Sequence, residues 1–384
     1  MRATKAIIHL DYLKQNIIEI RKFIKPGVKL CIAVKADAYG HGAVECARTA
    51  LASGADFLAI ATVDEGRELR EAGITAPLLM LSLCSPDEVA DAVSLNISPF
   101  VFDEEYIELF AKEVKVQHKK DYAVHLAIDT GMGRIGCEPQ NAAAIAQKIA
   151  DTKVLVQGGT ATHFAVSDVN SKEGRDFTQE QFTLFTNAIS NIRKAGLNPG
   201  LCHCCNSAAT IDHPEMQLDM VRPGIIVYGY YAEEISKAYL EQKGTPLTLR
   251  PVMTLVSTVS SIRRFEKGKT VGYGRTWKAE CETDIGVLTI GYGDGWVRRF
   301  ALNGVPLAIK GKEYPIRGRI CMDQCMVDLG LNNKDVHRWD TAVLFGDSSE
   351  GALQTADDIA QKTGTISYEI TSCITRRVPR EFKA

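Results

Sequence analysis

Long apolar runs are missing from this sequence. No uninterrupted apolar stretch reaches about 18 residues, so no membrane-spanning helix is expected. The opening MRATKAIIHLDYLKQN has no long apolar core followed by a small-residue cleavage site, so no secretory leader is expected either. A charge surplus is also missing. With 45 Lys and Arg against 47 Asp and Glu, the formal charge is -2, and nothing electrostatic points to nucleic acid or a membrane surface as partner. Regular cysteine spacing is absent too. The 11 cysteines are odd in number and irregularly placed, which suits reduced thiols in the cytoplasm better than a disulfide framework. Neither an internal repeat nor a low-complexity segment is visible.

What is present is alternation. Across residues 11–230 short apolar runs recur at Leu30–Val34, Phe57–Ala61, Leu78–Leu81, Ile97–Val101, Ala123–Ile128, Val154–Val156 (extending toward His163), Leu201–Cys205 and Met220–Val227. Helical patterns lie between them, at Ala43–Ala52, Asp64–Glu71, Pro86–Ser94, Asp103–Val114, Pro139–Ala150 and Thr178–Ala195. Asp64, Ser85 with Pro86, and Asp103 read as helix-start signals. About eight strand–helix units are what a (β/α)8 barrel requires, although a doubly wound sheet uses the same units. After Tyr231 a polar segment, Ala232–Thr245, leads into β-rich text with turn signals at Asn303-Gly304 and Lys310-Gly311-Lys312. One further helix is expected near Thr355–Lys362, stopped by Gly364. The expected domains are 1–238 and 239–384, with residues 1–10 free to pair with the second.

One stretch organises the chain: Ala33-Val34-Lys35-Ala36-Asp37-Ala38-Tyr39-Gly40-His41-Gly42. A lysine at the carboxyl end of a buried strand is desolvated, its pKa falls, and its amine becomes a nucleophile able to form a Schiff base with an aldehyde cofactor. On the strand pattern alone, a lysine that snorkels to solvent is the commoner outcome. In the barrel reading, Lys35, Arg134, His163, Ser207 and Arg222 with Gly224 all fall just past the carboxyl ends of strands one, five, six, seven and eight. That is the face on which barrel active sites lie.

AVKADAYGHGA resembles the pyridoxal-phosphate attachment motif of alanine racemases. The likeness continues from about residue 5 to 380 through DTGMGR, ATHFA, NSAA, MVRPGIIVYG, VGYGRTW, GYGDGW, RICMDQ and ISYE. The resemblance implies an N-terminal barrel, a β-rich second domain and pyridoxal 5'-phosphate as cofactor. It implies interconversion of L- and D-alanine by two bases, Lys35 and Tyr273, in a homodimer with shared active sites. Tyr39, Ser207, Gly224, Ile225 and Tyr368 would hold the cofactor phosphate. Arg222 would face the pyridine nitrogen, and His163 would join its network. Arg134 and Met322 would bind the substrate carboxylate, while Tyr292, Arg298, Arg319 and Asp168 would line the entrance.

Two departures stand out. Many family members carry a lysine, carbamylated to orient the arginine, where this chain has Ala127, so Arg134 must be positioned by a bound anion or another side chain. Cys202-His203-Cys204-Cys205 replaces commoner alanines and invites a metal. Adjacent strand residues face opposite ways, however, so no metal is expected there. The alternatives are a racemase for serine or several small amino acids, and a non-catalytic pyridoxal-phosphate-binding protein.

Overall fold

The computed structural model describes residues 2–384. Eight parallel strands alternate with helices: Lys29–Ala33, Phe57–Ile60, Leu78–Met80, Ile97–Val101, Tyr122–Ala127, Leu155–Ala161, Leu201–His203 and Met220–Val221. Each pairs with the next as far as the seventh, and the eighth returns to the first, with Lys29 opposite Met220 and Leu30 opposite Val221. Between the seventh and eighth the ladder lapses, but two backbone bonds cross it, Asp219 N to Cys202 O and Arg222 N to Cys205 O. The sheet is therefore a nearly closed barrel and not a doubly wound sheet. Barrel strands are covered on both faces, which is why they read as continuous apolar runs. Leu58, Leu78, Leu79, Ile97 and Leu126 are fully buried, each contributing roughly 1.5–3 kcal/mol.

Several boundaries differ from the sequence reading, each for a local reason. The helix after the second strand, Val63–Glu71, starts from Thr62 and not Asp64, through a capping box in which Thr62 Oγ1 accepts from Glu65 N. Ser85 and Asp103 do cap their helices. The long helix runs Lys172–Lys194, beginning before Thr178 because its first turns are polar and carry no apolar period. Strand eight stops at Val221, since Pro223 has no N–H to extend a ladder, and Ile225–Tyr228 winds into a 3-10 turn instead. The polar segment holds a short helix, Lys237–Gln242, started by Ser236.

The second region is mainly β. Met253–Phe265 is its spine and pairs with Lys5–His9, Thr341–Phe345 and Thr283–Leu288. Lys5–His9 also runs parallel to Arg380–Lys383, so both ends of the described chain lie in one sheet. Ala356–Thr363 is capped by Thr355 and stopped by Gly364 at φ 65°, a left-handed stop that suits glycine. Two short helices went unread, Arg298–Leu302 and Ser367–Ser372. The second carries Tyr368 back to the barrel.

Candidate active site

Lys35 follows the first barrel strand. Immediately after it, Ala36, Asp37, Ala38 and Tyr39 all lie at φ 52–55°, a left-handed turn built without glycine. L side chains disfavour that conformation by about 1–2 kcal/mol per residue, and such strain concentrates at functional sites. The turn occupies four residues, with Lys35 immediately before it and Tyr39 as its last residue. Burial lowers the pKa of the Lys35 amine, and the charge of Arg134 lowers it further against the opposing pull of Glu65. Lys35 enters a cavity of about 230 Å³ lined also by Phe100, Ala127, Met132, Arg134 and His163.

Arg222 follows strand eight and is buried. Its Nη1 lies 2.6 Å from His203 Nδ1, and its Nη2 donates to Thr162 O at 2.8 Å and approaches His163 Nδ1 at 3.4 Å. Among the described residues no carboxylate pairs with it, and its Nε is buried without a partner. A guanidinium only donates, so His203 Nδ1 must accept and His203 Nε2 must carry the proton. That proton is donated to His125 Nδ1 at 2.8 Å. Burial first, then the charge of Arg222, hold His125 and His163 near pKa 3, so these rings stay neutral. Three neutral histidines thus surround one permanent cation.

Ser207 opens the helix Ser207–Asp212, yet Asn206 is the residue that caps it, its Oδ1 accepting from Ala209 N at 3.1 Å. The Ser207 hydroxyl is left to accept from Gly224 N at 2.8 Å, joining the loops after strands seven and eight. A Cβ on Gly224 would fall 2.6 Å from Tyr39 Oη, so only glycine leaves this space open. The ring of Tyr39 meets those of Tyr228 and Tyr368 edge-on, with centroids 5.2 and 5.5 Å apart. Burial raises the pKa of Tyr39 and Tyr368, so both hydroxyls remain protonated. Ile225 is fully buried, and Asp168 is half-buried near Tyr368.

The remaining candidates gather elsewhere. Tyr273 is 71% exposed in a turn between glycines, beside exposed Arg319. Tyr292 and Gly293 donate their backbone N–H groups to Cys321 O and Met322 O at 3.0 and 2.9 Å, which places Met322 next to the Gly291–Trp296 segment. Tyr292 and Met322 are 40% and 51% exposed, and Arg298 lies open nearby. None of these five residues lines the cavity that Lys35 enters.

Sequence reasoning missed His125, His203 and Glu65. His125 had a signal, a titratable residue inside the buried strand YAVHLA. His203 was noticed only within the Cys-His-Cys-Cys run. The alternation argument used for that run also fails, because the strand ends at His203 and the thiols of Cys204 and Cys205 both reach Met216 O, at 3.1 and 3.2 Å. Glu65 gave no sign beyond its place in a capping box.

Ionisable groups gathered at the carboxyl face of a (β/α)8 barrel, with a β domain appended, make an enzyme's architecture. Residues 8–232 match the family described as alanine racemase, N-terminal domain, and residues 252–382 match its C-terminal domain. An alanine racemase of Treponema denticola is 47% identical over 100% of this chain and 98% of its own length. A Clostridium difficile alanine racemase structure superposes with a TM-score of 0.91 at 35% identity, covering 100% of this chain and 96% of that one. A Bacillus anthracis alanine racemase structure with bound L-Ala-P gives 0.90 at 33% identity, over 100% and 96%. The chain belongs to the alanine racemase family.

Proposed function

We propose that this protein interconverts L- and D-alanine with pyridoxal 5'-phosphate, in a homodimer whose two sites are each built from both subunits. The observation that carries the reading is the pairing of Lys35, its amine pKa lowered, with a buried, carboxylate-free Arg222 at one barrel face. The residues fit the cofactor. Arg222 keeps a buried Nε without a partner, and Gly224 leaves open the space beside Tyr39 that a Cβ would fill. Lys35 would anchor it, Tyr39, Ser207, Gly224, Ile225 and Tyr368 would hold its phosphate, and Arg222 backed by His163 would meet its ring nitrogen.

When bound, the cofactor supplies a carbonyl that captures the substrate amine and a ring that acidifies the α-hydrogen. An arginine at the ring nitrogen keeps a permanent positive charge there and weakens the electron sink, which favours brief proton exchange over transamination. Racemisation needs one base on each face of the α-carbon. Lys35 Nζ takes or gives the proton on the D side, where desolvation has made the amine available. The L side falls to Tyr273 of the partner subunit. That assignment accounts for a tyrosine left 71% exposed and absent from the lining of the Lys35 cavity.

Arg134 and Met322 would bind the substrate carboxylate, with Tyr292, Arg298, Arg319 and Asp168 at the entrance. No helix among the described residues is long and apolar enough to cross a membrane, and a cytoplasmic setting is part of the proposal. The test is a chiral assay of the loaded protein with L-alanine and L-serine, combined with borohydride reduction and peptide mapping. Racemised alanine, slower serine and label on Lys35 are expected. No racemisation of alanine, or label on another lysine, would overturn the reading.

A further inference from the structure

The left-handed turn from Ala36 to Tyr39 requires something to hold it. At its exit, Asp37 Oδ1 accepts from Ala43 N at 2.8 Å. Within it, His41 Nδ1 sits 2.9 Å from the carbonyls of Ala38 and Tyr39. At its entry, Ala36 N donates to Glu65 Oε1 at 2.7 Å. The other oxygen of the same carboxylate accepts from Ala61 N at 2.7 Å and Thr62 N at 3.2 Å. Two of these contacts complete the cap of the helix Val63–Glu71. The contact to Ala36 lies outside that helix and adds nothing to its cap.

We infer that Glu65 is a positioning residue: its carboxylate ties the end of the second barrel strand to the first left-handed residue after Lys35. Lys35 and Tyr39 stand at opposite ends of the turn, so fixing its entry fixes the amine relative to the hydroxyl. A carboxylate is suited to this because it accepts all three N–H groups at once. A carboxamide in its place offers one oxygen and two N–H donors, which must confront at least one of those amides. The inference rests on Lys35 holding the cofactor, as proposed above.

The test compares Glu65→Gln, Glu65→Asp and Thr62→Ala in the loaded protein. Thr62→Ala removes the hydroxyl that accepts from Glu65 N at 3.3 Å and leaves the three contacts of the carboxylate in place. It therefore measures what the hydroxyl half of the helix cap is worth, with the carboxylate's own contacts intact. Glu65→Asp keeps the charge but is one methylene too short to span both strand ends. Both Glu65 variants should lower kcat about 10- to 100-fold with little change in KM, since the reacting amine is misplaced while substrate contacts remain. They should also release pyridoxal phosphate faster on dialysis, whereas Thr62→Ala should shift only the melting temperature. Glu65 variants that match Thr62→Ala in kcat, KM and cofactor release would overturn the inference. Lys35→Ala separates the two levels: if it is still active, the reading of the site itself is wrong. If it is inactive while the Glu65 variants behave like Thr62→Ala, only the role of Glu65 is lost.

Discussion

Arg222 Nη1 lies 2.6 Å from His203 Nδ1, and His203 Nε2 lies 2.8 Å from His125 Nδ1. Because arginine cannot accept, one fixed cation dictates the tautomer of two rings in succession. His125→Phe removes the final acceptor, so the His203 Nε2 proton that Arg222 enforces is left buried without a partner. Racemisation should slow by about tenfold or more, in line with the roughly 1–3 kcal/mol that an unmatched buried donor costs. His125→Gln, which offers an acceptor, should recover part of the rate. Imidazole nitrogen-15 NMR should show His203 protonated on Nε2 in the wild type and still on Nε2 in His125→Phe, with its resonance shifted by the loss of the acceptor. His203 protonated on Nδ1 in either protein would contradict the relay.

Ser207 and Gly224 bring together the loops after strands seven and eight. Ser207→Ala leaves Gly224 N without its acceptor, and Gly224→Ala drives a methyl to 2.6 Å from Tyr39 Oη. Each should weaken pyridoxal-phosphate binding about tenfold or more, as measured by fluorescence titration, with Gly224→Ala the more severe. Unaltered cofactor affinity in both would remove the phosphate from this corner.

Asp294 is completely buried, held by Arg2 Nη1 and Nη2 at 2.6 and 2.8 Å and by Gly291 N at 3.1 Å. Burial alone would raise its pKa, but the bond from Arg2, the Gly291 amide and the charges of Arg2 and Arg377 together lower it. A carboxyl lowered in the folded state stabilises above its unfolded pKa, near 3.9, and loses that contribution as pH falls through the folded value. Asp294→Asn should therefore cost about 1.5–3 kcal/mol at neutral pH. Melting curves from pH 7 to pH 2 should show the gap to wild type narrowing below about pH 4. A gap independent of pH would mean that the ion pair contributes nothing.

Tyr273→Phe should disable racemisation in both directions, since each direction needs both bases. Exchange of the α-hydrogen in deuterated water should survive on one side only. D-alanine should still exchange slowly through Lys35, and L-alanine far less. Equal loss for both enantiomers, read by proton NMR, would contradict the assignment of one base to each face.

Much of this site was legible because its residues follow strand ends. Lys35, His163, Ser207 and Arg222 each come just after an apolar run, and a buried barrel strand advertises itself as such a run. The strand–helix alternation could not by itself close the sheet. Closure depends on the pairing of Leu30 with Val221, between strands nearly 200 residues apart, and no local pattern encodes that. The left-handed turn was hidden for another reason: Ala36 to Tyr39 contains no glycine, and the cost of its conformation is offset by local contacts of Asp37 and His41 and by Glu65, which only the folded chain brings near. Thr62 displaced Asp64 as a cap because a threonine and a glutamate three residues later satisfy two amides at once. Tyr273 could be named from its motif, but its 71% exposure and its absence from the lining of the Lys35 cavity needed coordinates.

The claim that each site takes Lys35 from one chain and Tyr273 from the other is tested most directly by mixing two inactive variants. Lys35→Ala and Tyr273→Phe, allowed to exchange subunits, form mixed dimers in which one site carries both lesions and the other carries neither. Random exchange makes half the dimers mixed, each with one intact site of two, so activity should return to about a quarter of wild type. Mixed dimers that demonstrably form, by mass spectrometry of differently tagged subunits, and still fail to racemise alanine would show that both bases come from a single chain.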